Sequence, residues 1–272
     1  MSSQQNLPFA RRLTPFILIL SIGLSIAGIF FPIYRDNLLI TSVWKGNDLV
    51  TLFVVCPITF IFLLRLRKGY LKDHLVWLGC TWYFVYNYFF YLYGAAFNIL
   101  FIFYNLIVIL SLLSFIFGFV DLVKRMNVDL FTFVPKTTLT ISIVFLIFFS
   151  SLMGLAWSGL AISYWFTNTI PLAITQTDHP TGVIFATDLI FLVTPLIVSA
   201  YFLLKKHNLG VLLTPVILIK CVLYPLVFVS SGIIAYLNTQ VYDSLTPIYL
   251  VLGLASLWVL LHFLKALSDI QI

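Results

Sequence analysis

"NILFIFYNLIVILSLLSFIFGFV", residues 98 to 120, runs for 23 residues without a charge. A helix rises 1.5 Å per residue, so about 20 apolar residues cross a hydrocarbon core of about 30 Å. A strand of a membrane barrel would show about ten residues of alternating polarity instead. The stretch does not alternate, so it reads as a helix of membrane-crossing length.

The rest of the chain has the same character. It is 62% hydrophobic and 9% charged, with 27 Phe and a mean hydropathy of +1.10, whereas soluble domains carry about 25% charged residues. Eight spans are predicted, over 13 to 32, 48 to 65, 75 to 96, 99 to 122, 138 to 162, 183 to 204, 210 to 237 and 245 to 266. The expectation is an all-α integral membrane protein forming one polytopic domain over 1 to 272. The first span reads as a permanent helix and not a cleaved signal, because "GIFF", residues 28 to 31, carries the apolar run through the candidate cleavage site.

The net charge of +6 is not a nucleic-acid signature, because of where it lies. With the N-terminus inside, only Arg35 and Lys45 fall on the outer side and Lys220 within a span; the other Lys and Arg fall on the inner side. The positive-inside rule then predicts both termini on the cytoplasmic side of a prokaryotic cytoplasmic membrane, with the lipid bilayer as the partner.

Two stretches share a layout: "DLVTLFVVCPITFIFLLRLRKG" from Asp48 and "DLIFLVTPLIVSAYFLLKKHNLG" from Asp188. Each holds a proline, Pro57 or Pro195, and reaches a basic residue 17 positions after its aspartate. His74 to Asn87 and His207 to Lys220 are both 13 residues. This predicts a four-helix unit occurring twice, in halves 1 to 136 and 137 to 272, as parallel repeats about an axis along the membrane normal. The longer outer loops, 33 to 47 and 163 to 182, place Trp44, Tyr164 and Trp165 at headgroup level.

Lys220 is the residue that demands explanation. It lies about ten residues, or about 15 Å, into the seventh span, near the midplane. A charge there costs several kcal/mol and is normally paired or facing water. Asp188, about 8 Å below the outer boundary of the sixth span, is the expected partner, directly or through water. Tyr224, at i+4 from Lys220, is placed to donate to the same carboxylate. Such a group serves function, or it holds two helices in register. A third alternative is a neutral lysine.

Asn87 occupies the matching place in the first half, within "TWYFVYNYFFYLYGAAFN", with Tyr83 on its face at i−4. This stripe lines a pocket or packs between helices. Asp48 is a further polar candidate, or a helix cap or first-turn carboxylate. Asn105 is another, and Asp121 reads as a surface charge beside Lys124 and Arg125.

Other chemistry finds little support. No two histidines are spaced as ligands on one helix, and Cys56, Cys80 and Cys221 read as small buried apolar residues, so no metal or cofactor is expected. All nine acidic residues are aspartates, which removes the H-E-x-x-H and Glu-x-x-His motifs. There is no P-loop and no G-x-S-x-G elbow, so the reading leans away from an enzyme.

"GNDLVTL" at 46 to 52 and "WYFVYNYFFYLYGAAFN" at 82 to 98 resemble a pattern seen in uncharacterised prokaryotic multi-pass membrane proteins. The resemblance implies a membrane fold and no particular activity. The position of Lys220 resembles that of the retinal-binding lysine of rhodopsins, but "TPVILIKCVLYP" lacks the flanking aspartate pattern of the microbial group.

The leading expectation is non-ATP-driven transport of a small solute or proton through a midplane site formed by Lys220, Asp188 and Asn87, with Tyr224, Tyr83 and Asp48 as further candidates. The alternatives are a membrane-embedded lipid-binding protein or enzyme, and an accessory subunit of a membrane complex.

Overall fold

The computed structural model describes residues 6–272 as a helical bundle. The long helices are α1 (Asn6–Phe30), α2 (Leu38–Lys68), α3 (Leu71–Gly94), α4 (Phe101–Arg125), α5 (Lys136–Thr167), α6 (Val183–Leu204), α7 (Asn208–Thr239) and α8 (Thr246–Ala266). A one-turn helix, Leu172–Thr175, lies between α5 and α6. Among the described residues there is no β-strand, only an isolated antiparallel bridge between Tyr70 and Gln271.

Seven of these helices are long and apolar enough to cross a membrane. The exception is α3, the predicted third span, whose tyrosines, tryptophans and Asn87 lower its hydropathy. Its position explains why it can carry them: α3 is buried along most of its length, and α7 from Gly210 to Pro225, and together they form the centre of the bundle. The outer helices instead expose large apolar side chains such as Phe53, Leu155 and Ile190. Water would not tolerate such a surface, and lipid covers it at no cost, which fits an integral membrane protein.

Helix neighbours repeat. Within α1–α4, α1 packs on α2 and α4, and α3 packs on α2 and α4; within α5–α8, α5 packs on α6 and α8, and α7 packs on α6 and α8. Across the middle, α2 packs on α7, α6 on α3, and α3 on α7.

The most extensive of these seams, α2 on α7, uses small residues. Ser42 and Gly46 on α2 face Ser231 and Ala235 on α7, all four buried or without a side chain to keep the backbones apart. A Cβ at Gly46 would run into the Ser231 backbone. Ser230 Oγ donates to the Gly46 carbonyl at 2.8 Å, Ser231 Oγ to the Val43 carbonyl at 3.1 Å, and Asn238 Nδ2 to Ser42 Oγ at 2.9 Å. In lipid no hydrophobic force drives helices together, so close approach and such bonds do so.

α2 and α6 are each interrupted by a π turn, Thr51–Val55 and Leu189–Val193, and in both the proline follows at the second residue after it. Proline cannot donate to the carbonyl four residues back and crowds it, and a wider turn accommodates that mismatch. For Pro195 the released carbonyl is that of Phe191, and Trp82 Nε1 donates to it at 3.1 Å. Trp82→Phe is therefore expected to cost about 1–2 kcal/mol by leaving a buried acceptor unpaired. Trp165→Phe, at a side chain 78% exposed, should leave the denaturation midpoint in detergent unchanged; equal midpoints for the two variants would refute the role of Trp82.

Four sequence expectations are corrected. α2 begins at Leu38, ten residues before the predicted start at 48, because Asn37 caps it by accepting from the Ile40 amide at 3.0 Å. Trp44 is consequently inside the helix and fully buried, its indole donating to Asp36 Oδ2 at 3.1 Å, and is no headgroup anchor; Asp48 is interior and neither cap nor first-turn residue. Asp121 is buried against Arg125, 2.6 Å away, where a surface charge was expected. Cys56, Cys80 and Cys221 are all free and buried.

Candidate functional site

A cavity of about 400 Å³ follows one face of α7 from Lys220 through Tyr224, Phe228, Ser231 and Ala235 to Thr239. These positions recur every three or four residues, so they form a stripe about five turns long. Val43, Trp44 and Asn47 of α2, Tyr86, Asn87 and Phe90 of α3, Trp157 of α5 and Tyr249 of α8 complete the walls. At the far end lie Gln176, Thr177 and His179 from one loop and Val241, Tyr242 and Asp243 from another. The result is a narrow, largely apolar shaft between the loop surface and a buried lysine. Depressions of about 590 Å³ beside Asn127 and His207 and about 620 Å³ between α5 and α6 are larger, but neither contains a predicted site residue.

Lys220 is 1% exposed. Its Nζ lies 3.3 Å from the centre of the Tyr86 ring, 5.1 Å from that of Tyr224 and 5.3 Å from that of Tyr83. Aromatic faces are the negative side of the ring quadrupole, and a desolvated cation gains about 2 kcal/mol from one. Among the described residues the ion pairs under 4.0 Å are Arg65–Asp73 and Arg125–Asp121, so Lys220 and Asp188 do not touch directly.

Tyr86 joins them instead: its ring lies against the ammonium and its hydroxyl donates to Asp188 Oδ1. Tyr224 donates to Asp188 Oδ2, and Trp157 Nε1 donates to the same oxygen at 2.9 Å. Asp188 is fully buried, so its carboxyl is held by three donors from three helices. The lysine faces the shaft while the carboxyl sits behind its aromatic wall.

Asn87 belongs to a second, connected network. Asn47 Nδ2 donates to Asn87 Oδ1 at 2.7 Å, Tyr83 donates to Asn47 Oδ1 at 3.0 Å, and Thr51 Oγ1 lies 2.9 Å from the Tyr83 hydroxyl. Asp48 is near in sequence but not in the shaft. It accepts from Tyr91 at 3.0 Å and from Tyr34. Burial, and next the Asp48 carboxyl, push the Tyr34 phenol well above its ordinary range, which keeps it a donor. Asn105 turns back to the carbonyl of Phe101 at 3.0 Å and joins no network.

The two aspartates are held alike. Tyr91 stands four residues after Asn87 and donates to Asp48, and Tyr224 stands four after Lys220 and donates to Asp188. Of the predicted residues, Lys220, Asn87 and Tyr224 line the shaft, Tyr83 and Asp188 stand behind them, and Asp48 lies apart. Sequence reasoning did not select Asn47, Tyr86, Trp44 or Trp157. A signal for Trp157 was available: in "GLAWSGLA", residues 154 to 161, it sits inside a span among small residues, away from the interface where tryptophan is usual. No family model, no curated protein and no solved structure matches the chain.

Proposed function

We propose that this chain is a non-ATP-driven membrane transport protein, with the shaft above Lys220 as the resting place of a small solute or proton. One observation carries the reading: a cavity runs from the loop surface to an ionisable residue buried in the middle of a membrane-length helix. An intramembrane ionisable group facing a cavity is the usual mark of a solute or proton path, and transporters place such sites near the midplane between repeated halves.

The matching helix neighbours, the paired π turns and the parallel tyrosine–aspartate contacts support a duplicated four-helix unit. In this reading α3 is the eighth span, shielded by its neighbours. Both termini lie in the cytoplasm, and the shaft opens outward. The largely apolar lining also favours a second reading, a site for a lipid or lipid-like ligand.

The test is thiol labelling of Lys220→Cys and Val227→Cys with Cys56, Cys80 and Cys221 replaced. Membrane-impermeant polar reagents applied to intact cells are expected to modify both positions. Folded, inserted variants that stay unmodified from either side would mean a dry shaft and end the transport reading.

A further inference from the structure

We infer that the shaft takes a small, singly charged carboxylate with a slender apolar body, head against Lys220 and body along Trp44, Phe90 and Phe228. This deepens the transport reading and rests on it.

The argument begins with the hydrogen-bonding capacity of Lys220. An ammonium has three N–H donors and no acceptor. Among the described residues its Nζ makes no hydrogen bond and no ion pair, although the side chain is 1% exposed and lines the shaft. The rings of Tyr86, Tyr224 and Tyr83 stabilise its charge but offer no directional acceptor. The Asp188 carboxyl is already taken by Tyr86, Tyr224 and Trp157 on the other side of the aromatic wall. The unpartnered donors therefore point to an acceptor brought by a ligand.

The surroundings narrow its chemistry. Among the described residues Lys220 is the only Lys or Arg on the shaft. Phosphate esters and other polyanions take forked arginines or several cations, so a single lysine suits a single charge. A cationic ligand would meet Lys220 head on. The surface the shaft presents is largely apolar, so a sugar would bury unmatched hydroxyls there, each at a desolvation cost. Among the described residues the one acid on the lining, Asp243, has its Cβ 3.9 Å from the Cβ position of Gly232, about 18 Å along α7 from Lys220, and it leaves the head position to the lysine.

The probes are hexanoate, hexanamide and hexylammonium, which share one body and differ in head group. Each is titrated against the full-length protein in detergent while the thermal unfolding midpoint is followed. Hexanoate is expected to raise the midpoint, with an apparent affinity about tenfold above that of hexanamide, the difference one charge-assisted hydrogen bond makes. Lys220→Met should abolish the preference. Val227→Trp, which leaves Lys220 in place and fills the shaft above it, should abolish the response.

An equal response to hexanamide, no response to hexanoate, or a preference that survives Lys220→Met would overturn the inference. Where Lys220→Met fails to fold, a full hexanoate response in Val227→Trp would do the same. Thiol labelling separates the two levels: a shaft reached by polar reagents without a carboxylate preference retires the ligand class alone, and a dry shaft retires the transport reading.

Discussion

Asp188→Leu is expected to lower the unfolding free energy in mixed micelles by about 3 kcal/mol, an effect large enough to deplete the folded protein in membranes. The substitution removes the acceptor shared by Tyr86, Tyr224 and Trp157. A buried donor left unpaired costs about 1–3 kcal/mol. Helices unfolded in lipid find other polar partners, which reduces each contribution toward about 0.6 kcal/mol or somewhat more. Three donors stranded together then give the figure above.

The same reasoning sets the control. Replacing donors and acceptor together by apolar groups of similar shape is close to neutral, so Asp188→Leu combined with Tyr86→Phe and Tyr224→Phe should recover more than half of the loss. A single-variant loss under about 0.5 kcal/mol, or a combined loss equal to the sum of the separate ones, would show that the cluster does not hold α5, α6 and α7 together.

Gly46→Val should cost a comparable amount, about 3 kcal/mol, for a different reason. Here the quantity at stake is the distance between two backbones, because a Cβ at Gly46 meets the main chain of Ser231. Main chain cannot rotate away as a side chain would, so α2 and α7 must separate. Overpacking costs about 1–3 kcal/mol, and the separation also stretches the bonds from Ser230, Ser231 and Asn238. The control is Gly23→Ala, where an added Cβ meets nothing within 4 Å; its stability should be unchanged or slightly raised, since alanine is the better helix former. If Gly46→Val were as stable as Gly23→Ala, the close α2–α7 seam would be wrong.

Much of this architecture was legible because lipid imposes a length on any helix that crosses it. The run from Asn98 to Val120 announced itself by that length alone. The start of α2 did not, because Leu38 to Asn47 mixes polar and apolar residues and its helical state depends on a cap at Asn37 and on burial against α7. Pro57 and Pro195 were visible, but the π turns ahead of them are a response of the backbone that no residue type spells out.

Lys220 was legible as an anomaly, since a charge among apolar residues needs compensation wherever it sits. What compensates it was not. The sequence offers Asp188 as an opposite charge, whereas the fold places the Tyr86 ring against the ammonium and turns the carboxyl toward other donors. Opposite charges are visible in a list of residues; the orientation of a ring is decided only by packing. Asn47 stayed hidden beside the more conspicuous Asp48 for the same reason.

The π turn of α6 begins directly after Asp188. A π turn holds one residue more than the α turn it replaces, so drawing that residue out of the bulge is a complete mechanical step. The segment bearing Asp188 would advance by one position, about 1.5 Å along the axis and about 100° around it, while α6 beyond Pro195 stayed still. Its carboxyl would leave Tyr86 and Tyr224 in the same movement, freeing the ring on which Lys220 rests. The bulge thus holds one residue of slack directly behind Asp188, so the smallest shift α6 could make there without losing its backbone bonds is one residue long.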